Sequence, residues 1–230
     1  DDLQQDDIRW FKRGNCFASH TMNAWQEGTK IHFVTPESKN NFFPFFPDIH
    51  GAPFNPQESV THLTDWVVDL ASNGEEFAEI NRLTDTFSEF PRIDDRFTGR
   101  KNRYTWGLEV DFKRPMEQVG GSAGGAPMNC LFLKDLETGA EQHWWAGPTS
   151  TLQEPCFIPR SADAPEGDGW IVQVCNRLAE HRSDLLLFDA LDIEKGPIAT
   201  IKVPIRLRFG LHGNFARSED IGLAKELEPA

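Results

Sequence analysis

Two short segments carry side chains suited to metal chemistry. Arg206-Leu-Arg-Phe-Gly-Leu-His212-Gly-Asn-Phe places an imidazole between Gly210 and Gly213, in an aromatic stretch that reads as a strand end. Glycines on either side permit close backbone approach. Gln153-Glu154-Pro-Cys-Phe-Ile-Pro-Arg160 places a carboxylate in what reads as an apolar strand, where a lone charge is costly without a partner. A histidine and a glutamate so placed point to a metal ligand and to the carboxylate that orients it. His20, in Asn15-Cys-Phe-Ala-Ser-His20-Thr-Met-Asn-Ala-Trp25, also stands apart from the remaining histidines, and Ser88-Glu89-Phe-Pro-Arg-Ile-Asp94 sets a glutamate beside an aromatic residue and a proline. The other histidines read as structural. His32, His62 and His143 alternate with apolar residues on candidate strands, His181 lies in a charged turn and His50 in a Pro-rich loop. Spacing alone leaves His20, His212, Glu89 and Glu154 open between ligand chemistry and ordinary strand roles.

The elements that would position these residues are strands. Helical periodicity is nearly absent, and short runs rich in Val, Ile, Phe and Trp are punctuated by Gly, Pro, Asn and Asp. Strands are expected at 30–35, 60–69, 77–83, 88–93, 103–109, 128–134, 141–146, 154–160, 169–176, 183–189, 199–203 and 209–214. A weak repeat groups them. Trp66-Val-Val-Asp69, Phe132-Leu-Lys-Asp135 and Leu187-Phe-Asp189 each end a strand and enter a turn closed by Gly74, Gly139 or Gly196 before another strand. Hairpins recurring at intervals of roughly sixty residues are what successive propeller blades produce. Coincidental hairpins in a sandwich are the competing reading. A dozen strands make three to four blades, fewer than most closed propellers contain. Two long loops, Asn40–Pro56 and Lys113–Pro127, interrupt the rhythm and would lie over one face.

Composition narrows the partners. At 230 residues and 39% hydrophobic, the protein is large enough to bury a core, and no run approaches the length of a membrane span. A formal charge of -13 argues against nucleic acid and anionic membrane surfaces. The acidic start, Asp1-Asp2-Leu3-Gln4-Gln5-Asp6-Asp7, reads as neither a secretory signal nor a transit peptide. Four cysteines without CxxC spacing read as reduced, so a cytoplasmic location is expected.

Taken together, the segments resemble the carotenoid cleavage oxygenase family, whose members are seven-bladed propellers holding Fe(2+) on the axis with four histidines. Phe17 to Glu27 is similar to the motif around the family's third histidine, and Leu211-His212-Gly213 to the motif around the fourth. Ser88 to Asp94 and Glu154 to Arg160 resemble the strands carrying glutamates that support those rings. The resemblance implies that His20 and His212 are metal ligands, with Glu89 behind His20 and Glu154 behind His212. It extends from Trp10 to Phe215 and lacks the family's first two histidines, so the sequence is expected to be one partial propeller domain over 1–230. As the C-terminal portion of a longer oxygenase, it should bind iron poorly by itself. Arg160 to Trp170 and Pro204 to His212 look most like the arm that cleaves lignostilbene and isoeugenol. The resemblance thus implies a non-haem Fe(2+) oxygenase that uses O2 to cleave the C=C bond attached to the ring of a small aromatic alkene. Phe43, in the crowded Phe42-Phe43-Pro-Phe45-Phe46, would face the substrate ring.

Two alternatives belong to other classes. A small closed propeller could process glycans with Asp94, Asp95 and Glu109 as its carboxylates. A propeller fragment could also serve as a non-catalytic binding module. Convergence of the His20 and His212 rings, each backed by a glutamate, separates the oxygenase from both.

Overall fold

The computed structural model describes residues 8–41, 43, 46–47, 49–53, 55, 58–117, 128–208 and 210–222. Among these, the protein is all-β, with fourteen strands in three antiparallel sheets stacked as successive blades. Blade 1 contains β1 (Phe17–Ala18), β2 (Asn23–Glu27), β3 (Lys30–Ser38), β4 (His62–Asp69) and β5 (Glu79–Arg82). Blade 2 contains β6 (Phe87–Arg92), β7 (Tyr104–Val110), β8 (Cys130–Asp135) and β9 (Glu141–Trp145). Blade 3 contains β10 (Ser150–Leu152), β11 (Cys156–Pro159), β12 (Gly169–Arg177), β13 (Arg182–Asp189) and β14 (Ala199–Val203).

The repeated Asp has one structural job in all three blades. It ends the strand next to the outermost one, and its carboxylate accepts the amide two residues on: Ala71 N–H to Asp69, Glu137 N–H to Asp135, Leu191 N–H to Asp189. This side-chain turn starts the hairpin to the outer strand.

Side chains alternate between the two faces of a strand, and on the central strands this supplies the packing between blades. On β7, Trp106, Leu108 and Val110 enter the main core with Phe157, Ile171, Leu186 and Phe188 of blade 3. Trp106 is fully buried, stacks on Phe157 at 4.9 Å and donates its indole N–H to Ala190 O at 2.7 Å. Burying each such side chain contributes about 1.5–3 kcal/mol. A smaller cluster of Met22, Val34, Leu63 and Ile93 joins blades 1 and 2.

The innermost strand of every blade is interrupted. In blade 1, β1 and β2 pair with successive stretches of the same β3, leaving Ser19 to Met22 between them. In blade 3, β10 and β11 share β12 in the same way, leaving Gln153 to Pro155 between. In blade 2, β6 slips register against β7 between Glu89 and Arg92. Pro91 and Pro155 have no N–H to donate, which favours a break at each place. Gly107 on β7 accommodates the slip, since a Cβ there would lie 2.6 Å from the Phe132 ring and 3.0 Å from Glu89 O.

Several expected strands differ. Residues 17–27 hold two strands beyond those expected, and Ser150–Leu152 is a third. Glu154 lies in the break before β11, not inside an apolar strand. No strand forms over the described residues of 209–214. That stretch returns from the outer strand β14 toward the blade centres, and side chains rather than a neighbouring ladder meet its polar groups. Much of the expected loop 113–127, together with Phe42, Phe45 and Phe209, lies outside the described residues. Among the described residues, no helix is long and apolar enough to cross a membrane.

Candidate metal centre

The interruptions bring the four singled-out residues together. His20 occupies the break between β1 and β2, where Ser19 N–H bonds Pro36 O at 3.1 Å and Met22 N–H bonds Val34 O at 2.8 Å. Its own carbonyl accepts from Thr35 Oγ1 at 2.8 Å. Backbone bonds on both sides therefore fix the residue. Its ring Nδ1 lies 2.7 Å from Glu89 Oε2. Glu89 is fully buried and also accepts Ser19 Oγ–H at 2.5 Å and Phe90 N–H at 3.0 Å.

The second pair is built across blade 3. His212 Nδ1 lies 3.2 Å from Glu154 Oε1, and Gly213 N–H donates to Glu154 Oε2 at 3.1 Å. Arg92, from the end of β6, donates to the same Oε2 at 3.1 Å. Glu154 is 6% exposed, whereas His212 is 59% exposed.

The two rings approach each other to 5.0 Å between centroids, at 72° between planes. Phe90 contacts both, at 4.5 Å from His20 and 5.8 Å from His212. Its backbone takes φ of 49°, a left-handed value costly for a residue with a Cβ. The β6 bulge forces this conformation and turns the ring toward the imidazoles.

Electrostatics favours a cation. A carboxylate accepts only, so in the neutral form of either ring Nδ1 carries the proton and Nε2 keeps its lone pair. The Glu89 hydrogen bond, aided by the charges of Glu89 and Glu154, raises the His20 pKa against the opposing effect of burial. Among the described residues, Arg92 is the cation paired with Glu154, and no Lys or Arg pairs with Glu89. Two buried carboxylates with one arginine leave a net negative charge behind the two imidazoles.

Whether the rings suit one metal ion can be tested on their separation. With metal–nitrogen distances of about 2.1 Å, two imidazoles at tetrahedral to right-angled positions have centroids roughly 4.5–5.2 Å apart. The observed 5.0 Å fits. No group of three or more His, Cys, Asp or Glu side chains among the described residues forms a complete metal site. The pair thus suits a shared ion as part of a larger ligand set.

The remaining expectations resolve individually. Phe43 is half-buried and meets Phe17 and Phe46 edge-on at 6.0 and 5.9 Å. His32 bonds Asp65 at 2.9 Å and stacks on Trp25, His62 bonds Thr86 O at 3.1 Å, and His143 bonds Glu109 at 2.8 Å. The carboxylates considered for glycan chemistry have structural partners. Asp94 caps the turn at Asp95–Phe97 and pairs with Arg96, Asp95 pairs with Arg92, and Glu109 is buried against His143. Phe90 and Arg92 escape a reading of the sequence, although both lie inside the quoted Glu-Phe-Pro-Arg motif. The signal for them is Pro91, which marks where β6 slips register against β7.

Comparison with known proteins agrees with this architecture. The family model described as Retinal pigment epithelial membrane protein matches residues 1–217. The protein belongs to this family, the carotenoid oxygenases. It is 52% identical over 219 residues to the lignostilbene-alpha,beta-dioxygenase isozyme III of Sphingomonas paucimobilis, an overlap of 95% of this chain and 45% of that protein. It is 42% identical over 210 residues to the isoeugenol monooxygenase of Pseudomonas nitroreducens, an overlap of 91% and 43%. The sequence therefore spans under half the length of these carotenoid oxygenases. The crystal structure of Pseudomonas brassicacearum lignostilbene dioxygenase superimposes with a TM-score of 0.86 at 40% identity, over 92% of this chain and 44% of that one. A cobalt-substituted Synechocystis apocarotenoid oxygenase gives 0.71 at 27% identity, over 87% and 40%. The three sheets are accordingly part of a carotenoid oxygenase β-propeller.

Proposed function

We propose that this protein is the C-terminal portion of a non-haem Fe(2+) oxygenase that cleaves the propenyl or stilbene C=C bond of an aromatic alkene with O2, giving aromatic aldehydes. The observation that carries this reading is the imidazole pair 5.0 Å apart, each ring held through Nδ1 by a buried carboxylate. The lignostilbene and isoeugenol enzymes among its relatives support the substrate class.

His20 and His212 would hold the iron through Nε2. Bound Fe(2+) supplies the redox chemistry by which O2 reacts with an alkene. Glu89 and Glu154 keep each proton on Nδ1 and fix the ring planes, which makes each ring a stronger ligand. Phe90 closes one side of the pair with an apolar wall and keeps water from that flank. Phe43, packed with Phe17 three residues ahead of His20, would offer a ring to a flat aromatic substrate. The described thiols form no disulfide, which supports a cytoplasmic location. The charge of -13 supports a small neutral partner over nucleic acid.

The test is aldehyde formation. A protein extending this sequence to the length of its relatives is supplied with Fe(2+), O2 and either isoeugenol or a hydroxylated stilbene, and products are identified by mass. Aldehyde is expected, and H20A and H212A should each abolish it. Unimpaired turnover in both variants, or no cleavage of either substrate class, refutes the reading.

A further inference from the structure

His20 and His212 are anchored by different means. His20 sits between two strands and is held by backbone hydrogen bonds on both sides. His212 sits in a stretch without strands that follows β14, and few bonds fix it. Leu207 N–H donates to Ser183 Oγ at 2.9 Å, and Arg208 O accepts from Gln153 Nε2 at 3.1 Å. Around His212 itself, the segment is met by Glu154, by the Cys156 thiol, which donates to Asn214 Oδ1 at 3.6 Å, and by the guanidinium of Arg92.

That guanidinium reaches four acceptors. Nη1 donates to Glu154 Oε2 at 3.1 Å and to Gly213 O at 3.0 Å. Nη2 donates to Asn214 Oδ1 and Asp95 Oδ2, each at 3.4 Å. One group from blade 2 thus ties a carboxylate of blade 3 to the backbone and side chain immediately after His212. The arginine side chain is 16% exposed and that of Glu154 6%, so water competes weakly for their ion pair, whereas Asp95, Gly213 and Asn214 lie at the surface. Arg92 also neutralises Glu154, whose other donors are the His212 imidazole and the Gly213 amide. The planar fork of arginine can serve several acceptors at once, which the single ammonium of lysine cannot match.

We propose that Arg92 is a positioning residue of the centre: it locks Glu154 and Gly213–Asn214 together and so sets the orientation and tautomer of His212, doing what strand pairing does for His20. The orientation of the ring stands on the contacts above. Its consequence for metal binding rests on the proposed function.

The experiment compares wild type, R92Q, R92K and H212A in the full-length protein. Without metal, amide exchange over 210–216 and the nitrogen-15 signals of the histidine rings are recorded. In R92Q, exchange of the Gly213 amide should quicken by about tenfold or more, and His212 should lose its bias toward the Nδ1–H form. His20 should keep its own bias, and R92K should fall between wild type and R92Q. A merely structural arginine would instead raise exchange evenly along β6 to β9. That even rise, or a Gly213 amide and His212 tautomer unchanged within about twofold in R92Q, overturns the proposal. Co2+ titration then separates the two claims. R92Q should weaken binding about tenfold. If H212A binds Co2+ as tightly as wild type, the ligand role of His212 fails while the Arg92 tether stands. If H212A loses Co2+ but R92Q does not, the tether fails while the ligand role stands.

Discussion

Replacing Glu89 probes the centre at its most buried point. Three donors converge on that carboxylate: the His20 ring at 2.7 Å, the Ser19 hydroxyl at 2.5 Å and the Phe90 amide at 3.0 Å. In E89Q the shape of the residue is kept, but one end of the group now donates. With its oxygen at the Oε2 position the amide still accepts from His20 and Phe90, and its nitrogen faces Ser19 Oγ, which can rotate. In the other orientation the oxygen accepts from Ser19 alone, and the nitrogen faces the Phe90 N–H and His20 Nδ1, which must give up its proton. Exchanging one charge-assisted bond, worth about 1.5–3 kcal/mol, for a neutral one of about 0.5–1.5 costs on the order of 1–2 kcal/mol. Where the nitrogen faces His20, the proton moves to Nε2 and the lone pair facing a cation is lost. Metal affinity should then fall about 10–100-fold, equivalent to about 1.4–2.7 kcal/mol. E89A removes the acceptor altogether, leaving the buried Phe90 N–H unpaired and a cavity beside it. Its total destabilisation should be about 3–5 kcal/mol. Urea unfolding followed by tryptophan fluorescence measures the stabilities, and Co2+ titration measures the affinities. If E89Q binds Co2+ within about twofold of wild type and E89A costs under about 1 kcal/mol, the donors are not engaged as described and Glu89 is an ordinary strand glutamate.

Four further outcomes follow from the geometry. F90G should unfold at higher urea than F90A, reversing the usual ranking by about 1 kcal/mol, because only glycine adopts φ of 49° without strain. Both should be less stable than wild type, since each loses a buried aromatic ring. G169A should cost about 1–3 kcal/mol because its Cβ would lie 2.2 Å from Ile158 O, whereas G213A, with nothing within 4 Å, should stay within about 0.5 kcal/mol of wild type. The pKa of His143 is raised chiefly by its bond to Glu109, against the effect of burial. The stabilisation from this pair is complete below about pH 6.5 and is lost as pH rises through the raised folded value. NMR titration should therefore place the His143 midpoint above 6.5, and E109Q should bring it down; an unchanged midpoint in E109Q rejects Glu109 as the cause. Metal analysis of the isolated 230-residue protein should find clearly less than one iron per molecule, because two imidazoles do not complete a site; stoichiometric iron would reject this.

How much of this is legible in the sequence follows from the range over which each feature is determined. Strands such as β7 and β13 are readable because their alternation is local, and Trp106, Leu108 and Val110 declare a buried face without reference to any partner. The paired histidines and glutamates are readable only as a set, since each motif alone fits an ordinary strand residue. The stretch around His212 misleads because its composition favours β structure, yet a strand also needs a free ladder beside it. The acceptors of Arg92 on Glu154 and Gly213 lie 62 and 121 residues away, so no window of sequence connects them. The interruptions of the inner strands are invisible for the same reason: whether Ser19 to Met22 leaves the ladder depends on what β3 and β6 offer in its place. Their effect explains why the centre lies where it does. An unbroken inner strand alternates its residues between the two neighbouring blades and presents little but backbone at its edge. Breaking the strand at one level in three successive blades releases that constraint, so His20, Glu89 with Phe90, and Glu154 can turn toward a common point. On this reasoning the breaks, more than the chemical identity of any one residue, make the centre possible, and restoring regular pairing in any inner strand should dismantle it while leaving the outer strands intact.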